Sequence, residues 1–254
     1  MITADLTGRR ALITGGASGM GLATARLFAR LGATVAINYR PGDRRADAAL
    51  AAAAKDGLAL IGAPGDVGTA GEAERMVGDA VQRLGGLDYL INNAGTAAGA
   101  AAAPIPYQQL DRFDEPFWDA ILSTNLLGPF RCTRAAAPAL RQAKGAVVNT
   151  ASVSAHGRIG SSIPYAVSKA GLIHLTNALA RALAPEVRVN AVAPGLVESP
   201  WTDPWPPQFK ENAQKGMMLG RLIQPEEIAE VMLFFCAGAG QVTGQCLDVD
   251  GGRA

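Results

Sequence analysis

At 254 residues, the chain has the length of one large α/β domain or two small ones, and its net charge of +1 leaves no basic excess for nucleic acid or an anionic membrane. Hydrophobic residues make up 49% and aromatics 6%, so the expected core is aliphatic and needs no disulfide support. No apolar run approaches the ~20 residues of a membrane span, and Met1 to Asp5 carries no charged-then-apolar signal. The expectation is a soluble cytoplasmic protein. Three cysteines (Cys132, Cys236, Cys246) without metal-ligand spacing suit a reducing compartment, and two histidines (His156, His174) are too few for a His-rich site. No metal is expected.

The first predicted strand is Arg10 to Thr14. It runs into Thr14-Gly15-Gly16-Ala17-Ser18-Gly19-Met20-Gly21, which opens a helix over Gly21 to Leu31, ended by Gly32. Glycines let a backbone turn sharply and approach a ligand, and the helix N-terminus offers N–H groups and a positive dipole end to a pyrophosphate. The second strand, Thr34 to Asn38, is followed by Tyr39 and Arg40. An acid near this point would hold a ribose 2′-hydroxyl; none stands at 38 to 40, and Arg40 suits a 2′-phosphate instead. NADP(H) is therefore favoured, with NAD(H) the alternative. Arg44 and Arg45 either assist or face water.

An Ala-rich helix over Arg44 to Lys55, a strand over Leu58 to Ile61, a helix over Ala70 to Leu84 and a strand over Leu87 to Ile91 follow. Residues 97 to 106 are low-complexity Ala, Gly and Pro. A long helical stretch spans Asp114 to Gln142, with Pro129 and Pro138 as candidate bends. A strand over Ala146 to Thr150 precedes Ser152, and a helix over Pro164 to Leu183 carries Tyr165 and Lys169. At i and i+4 this phenol and ammonium share a helix face, where the cation is expected to pull the tyrosine pKa below its ordinary value of about 10. Taken alone, the pair is equally readable as a surface contact. A strand over Val187 to Val192, a Pro/Trp/Met-rich loop over Gly195 to Gly220, a helix over Gln224 to Ala237 and a strand over Cys246 to Val249 complete the chain. Regular β-α alternation without a linker predicts a single α/β domain: a Rossmann-like, doubly wound, seven-stranded parallel sheet with helices on both faces.

In this order and spacing the motifs resemble the short-chain dehydrogenase/reductase family, in its branch of ~250-residue single domains, over nearly the whole chain. Thr14-Gly15-x-x-x-Gly19-x-Gly21, with Ser18 and Met20 inside it, is similar to that family's cofactor loop. Asp66 and Val67 resemble its adenine contact, with Tyr39 and Arg40 at the ribose end. Asn93, Ala94 and Gly95 resemble its turn beside the cofactor. Pro194, Gly195, Val197 and Ser199 resemble its nicotinamide-facing segment. Asn125, Ser152, Tyr165 and Lys169 match its catalytic set, Ser152 standing thirteen positions before Tyr165. Ser18 departs from the basic residue that NADP-preferring members often carry there, and Ser199 stands where threonine is commoner.

The resemblance implies reversible hydride transfer between a nicotinamide cofactor and a carbonyl or secondary alcohol of a small-molecule substrate. Tyr165 would move the proton, Lys169 would tune Tyr165 and bind the nicotinamide ribose, Ser152 would position the substrate oxygen, and Asn125 would anchor a water leading from Lys169. A non-catalytic nucleotide sensor is a third, weaker reading. The family resemblance also implies a homo-oligomer, commonly a tetramer. Trp201, Trp205, Phe209, Met217 and Met218 in the 195–220 loop are read either as an apolar substrate lid or as a subunit contact. His156 is read as lining the substrate pocket or as polar surface.

Overall fold

The computed structural model describes residues 4–98, 103–158 and 160–252. Seven strands, β1 (Arg10–Ile13), β2 (Thr34–Tyr39), β3 (Leu60–Pro64), β4 (Tyr89–Asn92), β5 (Ala146–Thr150), β6 (Arg188–Pro194) and β7 (Cys246–Val249), form one parallel sheet in the order β3-β2-β1-β4-β5-β6-β7. Among the described residues eight α-helices connect them: α1 (Gly19–Arg30), α2 (Arg44–Lys55), α3 (Glu72–Leu84), α4 (Glu115–Leu122), α5 (Gly128–Ala143), α6 (Ile163–Leu183), α7 (Pro207–Lys215) and α8 (Pro225–Leu233).

Alternation along the strands sorts the core into two layers. Ala11, Ile13, Val35, Ile37, Ile91 and Val148 pack on Ala25 and Phe28 of α1, Ala49 of α2, and Ile228 and Met232 of α8. Leu12, Ala36, Leu90, Val147 and Val189 pack on Met76 and Val77 of α3, Ala136 and Leu140 of α5, and Leu179 and Leu183 of α6. Alanine recurs on both faces, which lets the helices lie close to the sheet. Among the described residues no helix is long and apolar enough to cross a membrane.

The chain order of strands reverses between β1 and β4. That reversal opens a crevice at their carboxyl ends, the place where ligands bind in this architecture.

Four predicted boundaries are corrected. The expected strand over Leu58 to Ile61 begins two residues later, because Gly57 (φ +70°) turns the chain and the Leu58 N–H goes to Ala53 O, closing α2. The strand expected over Leu87 to Ile91 begins at Tyr89, after Asp88 is drawn into ion pairs with Arg9 and Arg10. The long helix over Asp114 to Gln142 is two helices joined by a π-helical turn, Ser123–Leu127, which carries Asn125. The 195–220 loop contains α7, a nine-residue helix with no buried residue. Part of the Ala/Gly/Pro segment over 97–106 lies outside the described residues.

Candidate active site

The glycine loop is shaped by close packing. Gly15 has φ +62°, and a Cβ there would meet Ala94 Cα at 2.9 Å. A Cβ on Gly21 would fall 2.3 Å from Gly15 O and 2.6 Å from Asn93 Nδ2. Asn93 donates through Nδ2 to Thr14 O (3.1 Å) and Gly15 O (3.2 Å), while the Asn93 and Ala94 N–H groups donate to Thr14 Oγ1, each at 3.0 Å. The predicted Asn93-Ala94-Gly95 turn thus braces the loop from β4. Asn38, buried at the end of β2, adds a brace that the sequence reading missed: its Nδ2 donates to Ala63 O and Gly65 O, and the Gly16 N–H donates to Asn38 O at 2.9 Å.

Ser18 precedes α1 but makes no side-chain cap, and the first turn of α1 holds no acid. The N-terminal N–H groups and the positive dipole end therefore face the crevice uncompensated, an anion-binding arrangement. The crevice holds about 390 Å³ and is lined by Gly15, Ser18, Tyr39, Arg40, Asp66, Val67, Ala94 and Gly95 of the anticipated residues. Thr69, Thr96 and Thr124 also line it, without having been foreseen. Tyr39 contributes one edge, while its hydroxyl lies against Gly62, where a Cβ would sit 2.5 Å away.

At the ribose end an acid is present after all. Asp43 lines the crevice beside Arg40, three positions past the window where an acid was sought. Both its oxygens are engaged: Arg45 Nε and Nη2 hold the carboxylate at 2.9 and 2.7 Å, and the Arg45 N–H caps α2 onto Oδ1. The hydrogen bond to Arg45 holds the Asp43 carboxyl below its ordinary pKa. Arg40 is exposed and lines the crevice; among the described residues it makes no salt bridge, and its charge reaches Asp43 only as a weak long-range attraction.

Across the crevice, the segment after β6 closes on the glycine loop. A Cβ on Gly19 would touch Ser199 Cβ at 3.6 Å. The Gly195 N–H donates to Val249 O, and Val197 is buried and bridged to Ile223.

The catalytic candidates converge beyond Gly95. Ser162 caps α6 by accepting from the Tyr165 N–H (3.2 Å), and Pro164 fills the first turn, where no N–H is needed. This fixes where Tyr165 starts on the helix. The Ser152 hydroxyl stands beside the Tyr165 phenol, close enough to act on its pKa, and Ser152 Oγ accepts from the Ser154 N–H. Lys169 is buried, 5.6 Å from the Tyr165 ring centroid, and donates from Nζ to Thr150 O at 2.6 Å. Trp201 faces Tyr165 at 6.4 Å between ring centroids, whereas Trp205 is buried edge-on against Phe209 and Met217 packs into the core. Trp201 and Met218 are exposed, as is Leu219 next to Met218, while Phe209 is half-buried.

Asn125 is fully buried. Its Oδ1 accepts from the Thr96 N–H (2.8 Å), and its Nδ2 donates to Thr96 O (3.0 Å) and Ser168 Oγ (3.2 Å). Ser168 in turn donates to Tyr165 O. These bonds tie α6 to the strand-end loop. A Cβ on Gly95 would sit 3.5 Å from Asn125 Oδ1 and 3.8 Å from Lys169 Nζ, so a side chain at 95 would fill the space between them.

One electrostatic expectation is corrected. Tyr165 is not tuned downward here: burial pushes the phenol up to about 12, with the Ser152 hydrogen bond opposing. Tyr165 keeps some accessible surface, yet enough protein surrounds the phenol for desolvation to dominate. Burial likewise pushes Lys169 down to about 8, which weakens the cation that was to stabilise a phenolate.

Relatives match this chain over nearly its whole length. The family model described as Enoyl-(Acyl carrier protein) reductase matches residues 15–254. The chain belongs to the short-chain dehydrogenase/reductase family. It is an oxidoreductase of that family. It is 39% identical to the 3-oxoacyl-(acyl-carrier-protein) reductase FabG of Thermotoga maritima, over 97% of this chain and 98% of the relative. It is 40% identical to a granaticin polyketide synthase putative ketoacyl reductase of Streptomyces violaceoruber, over 95% and 94%. A crystal structure of a short chain dehydrogenase from Burkholderia cenocepacia, in complex with NADP, superposes with a TM-score of 0.86 at 32% identity, over 98% of this chain and 99% of that one. For a member of this family, the uncapped α1 terminus and the space beside Gly95 fit a dinucleotide.

Proposed function

We propose that the protein is an NADP(H)-dependent carbonyl reductase, reversible as a secondary-alcohol dehydrogenase. The observation that carries this is the Ser152–Tyr165 hydroxyl pair with buried Lys169, set at the end of a crevice whose ribose edge presents an unpaired Arg40. The α1 N-terminus would hold the pyrophosphate and Arg40 the 2′-phosphate. Asp66 and Val67 would flank the adenine. Lys169 would reach the nicotinamide ribose, with Pro194, Gly195, Val197 and Ser199 along the ring. The NADP bound in the Burkholderia cenocepacia structure supports this choice. Asp43 would favour NAD only if it were free, and Arg45 occupies it.

The chemistry supplied by a bound nicotinamide is hydride transfer. The chain's own residues do the rest. Ser152 and Tyr165 bind the substrate oxygen between them and hold the carbon in line. A phenol pushed up to about 12 is fully protonated at neutral pH, so Tyr165 rests as the acid that reduction requires. Lys169 stabilises the phenolate left after that proton is given up. Asn125 clamps Thr96 and, through Ser168, keeps Tyr165 in place. The 195–220 segment serves as the substrate wall, with Trp201 over the reacting oxygen.

The names of the relatives direct the first substrate choice to 3-oxoacyl thioesters. NADPH oxidation with such a thioester should be readily measured. Tyr165→Phe should keep cofactor binding and lose ~10²–10⁴-fold in kcat. Full activity of that variant would remove the assignment. Arg40→Ala should raise KM for NADPH by about tenfold or more, the loss of one charge-assisted contact, and leave NADH use unchanged. An unaltered NADPH KM would instead place the 2′-phosphate elsewhere. We also assign the protein to the cytoplasm, as a homo-oligomer; exposed Leu127, Phe130 and Val167 on neighbouring turns support a subunit contact.

A further inference from the structure

Away from the crevice, three side chains from distant parts of the chain converge. His156 ends a 3-10 turn, Val153–His156, that follows directly from Ser152. Cys246 and Asp248 stand at i and i+2 on β7 and so share one face of the strand. His156 Nε2 lies 3.1 Å from Asp248 Oδ1. The imidazole nitrogen, the Cys246 sulfur and a carboxylate oxygen all lie within 4.8 Å of one another. Among the described residues, no other three or more histidine, cysteine and acidic side chains converge in this way.

We propose that His156, Cys246 and Asp248 form a binding site for a zinc-type divalent cation, pinning the turn after Ser152 to the last strand. Imidazole, thiolate and carboxylate together are the ligands of zinc; magnesium and calcium take oxygen almost exclusively. Tetrahedral coordination at zinc bond lengths separates neighbouring donor atoms by about 3.3–3.6 Å. Here the imidazole and carboxylate stand at 3.1 Å and all three atoms lie within 4.8 Å of one another, close to that spacing. A carboxylate and a thiolate balance the charge of a divalent ion, and the neutral imidazole adds none.

The surroundings suit such a site. Ala151, Ala191 and Ala193 form a small-residue cluster on which Cys246 and Ile173 pack, which holds the cysteine in place on β7. The His156 and Asp248 side chains are 43% and 37% exposed, so an ion can enter and a water can complete the coordination. The neighbouring acid does not compete, because Asp250 is ion-paired with Arg158. These two pairs, His156 with Asp248 and Arg158 with Asp250, lace the turn to the C-terminal strand in step. A simple His–Asp ion pair would account for the first contact but not for a cysteine at the same point. Burial and Asp248 keep the Cys246 thiol protonated in the free protein, its pKa pushed up to about 12. Binding therefore exchanges the thiol proton for the ion and releases that proton to solvent.

The test uses tag-free, full-length protein stripped with a chelator. It is titrated with Zn²⁺ by calorimetry and with Co²⁺ by absorption. One equivalent should bind, with a thiolate-to-cobalt charge-transfer band in the near ultraviolet. Cys246→Ser should abolish that band. His156→Ala and Asp248→Asn should each weaken zinc by at least about tenfold, since even outer partners of metal ligands cost 10–100-fold. His174→Ala, on α6, should change nothing. Circular dichroism of each variant separates lost ligation from lost folding, and Asp248→Asn keeps the side-chain shape if another variant misfolds. Absence of saturable binding, a cobalt spectrum lacking the thiolate band, or zinc affinity unchanged in all three ligand variants would overturn the site.

Discussion

At Lys169, burial and function pull in opposite directions. Lys169 is 4% exposed, and burial lowers its pKa from 10.5 to about 8. Between those values the unfolded chain holds a proton that the folded protein has lost, so stability rises with pH across that window. Below pH 8 both states are protonated and the full cost is present. Relative to Lys169→Met, wild-type unfolding free energy should gain about 2 kcal/mol from pH 7.5 to 9.5, at about 1.4 kcal/mol per pKa unit. Tyr165 acts in the other sense: its raised pKa makes stability fall once pH passes 10, which is why the window stops short of it. Denaturant unfolding of both proteins at several pH values measures this. A pH-independent difference would mean that Lys169 is solvated in the folded state. The Tyr-Lys spacing was legible in the sequence because i and i+4 share a helix face whatever the fold. The direction of the Tyr165 shift was not, because it depends on how much protein surrounds the phenol, and that is set by residues far along the chain.

At the scale of elements, the π-helical turn Ser123–Leu127 does what a continuous helix would not. It turns Asn125 fully inward, onto both backbone groups of Thr96. The sequence marked Asn125 by resemblance alone; its helical periodicity read as one long helix, since no proline or glycine lies inside the turn itself. A second polar device joins β4 and β5 near their carboxyl ends. Asn92 Nδ2 donates to Asn149 Oδ1 (2.8 Å) and Thr133 Oγ1 (3.1 Å), and Asn149 Nδ2 donates to Thr176 Oγ1 (2.9 Å). All four residues are buried. Asn149→Ala should cost about 1–3 kcal/mol for each partner left unsatisfied, visible as a lowered denaturation midpoint. A change below about 0.5 kcal/mol, the size of an ordinary surface substitution, would show that the ladder is dispensable. Asn92 and Asn149 were invisible as a pair in the sequence, because their register, Asn92 opposite Asn149, exists only once the strands align.

For the whole molecule, the exposed apolar side chains bear on assembly. Leu127, Phe130 and Val167 are exposed on the π turn, α5 and α6, and Phe234 and Leu247 on the turn after α8 and on β7. A subunit contact would take these side chains out of water. Light scattering after size exclusion should give a mass of at least two chains, and Phe130→Asp with Val167→Asp should lower it while leaving NADP(H) binding intact. A monomeric wild type would assign these side chains to scattered surface.

The sequence by itself determined what depends on short range and period. The β-α alternation predicted the seven-stranded parallel sheet, the glycine spacing marked the loop at α1, and one helical turn set Lys169 beside Tyr165. These features follow from backbone geometry repeated over a few residues, which any fold of this chain must respect. Only the tertiary structure decided the rest. It occupied Asp43 with Arg45, left Arg40 unpaired, raised the Tyr165 pKa by burial, and brought His156 to Cys246 and Asp248. Desolvation and convergence of ligands are sums over neighbours that packing alone assembles, and no local pattern in the chain carries them.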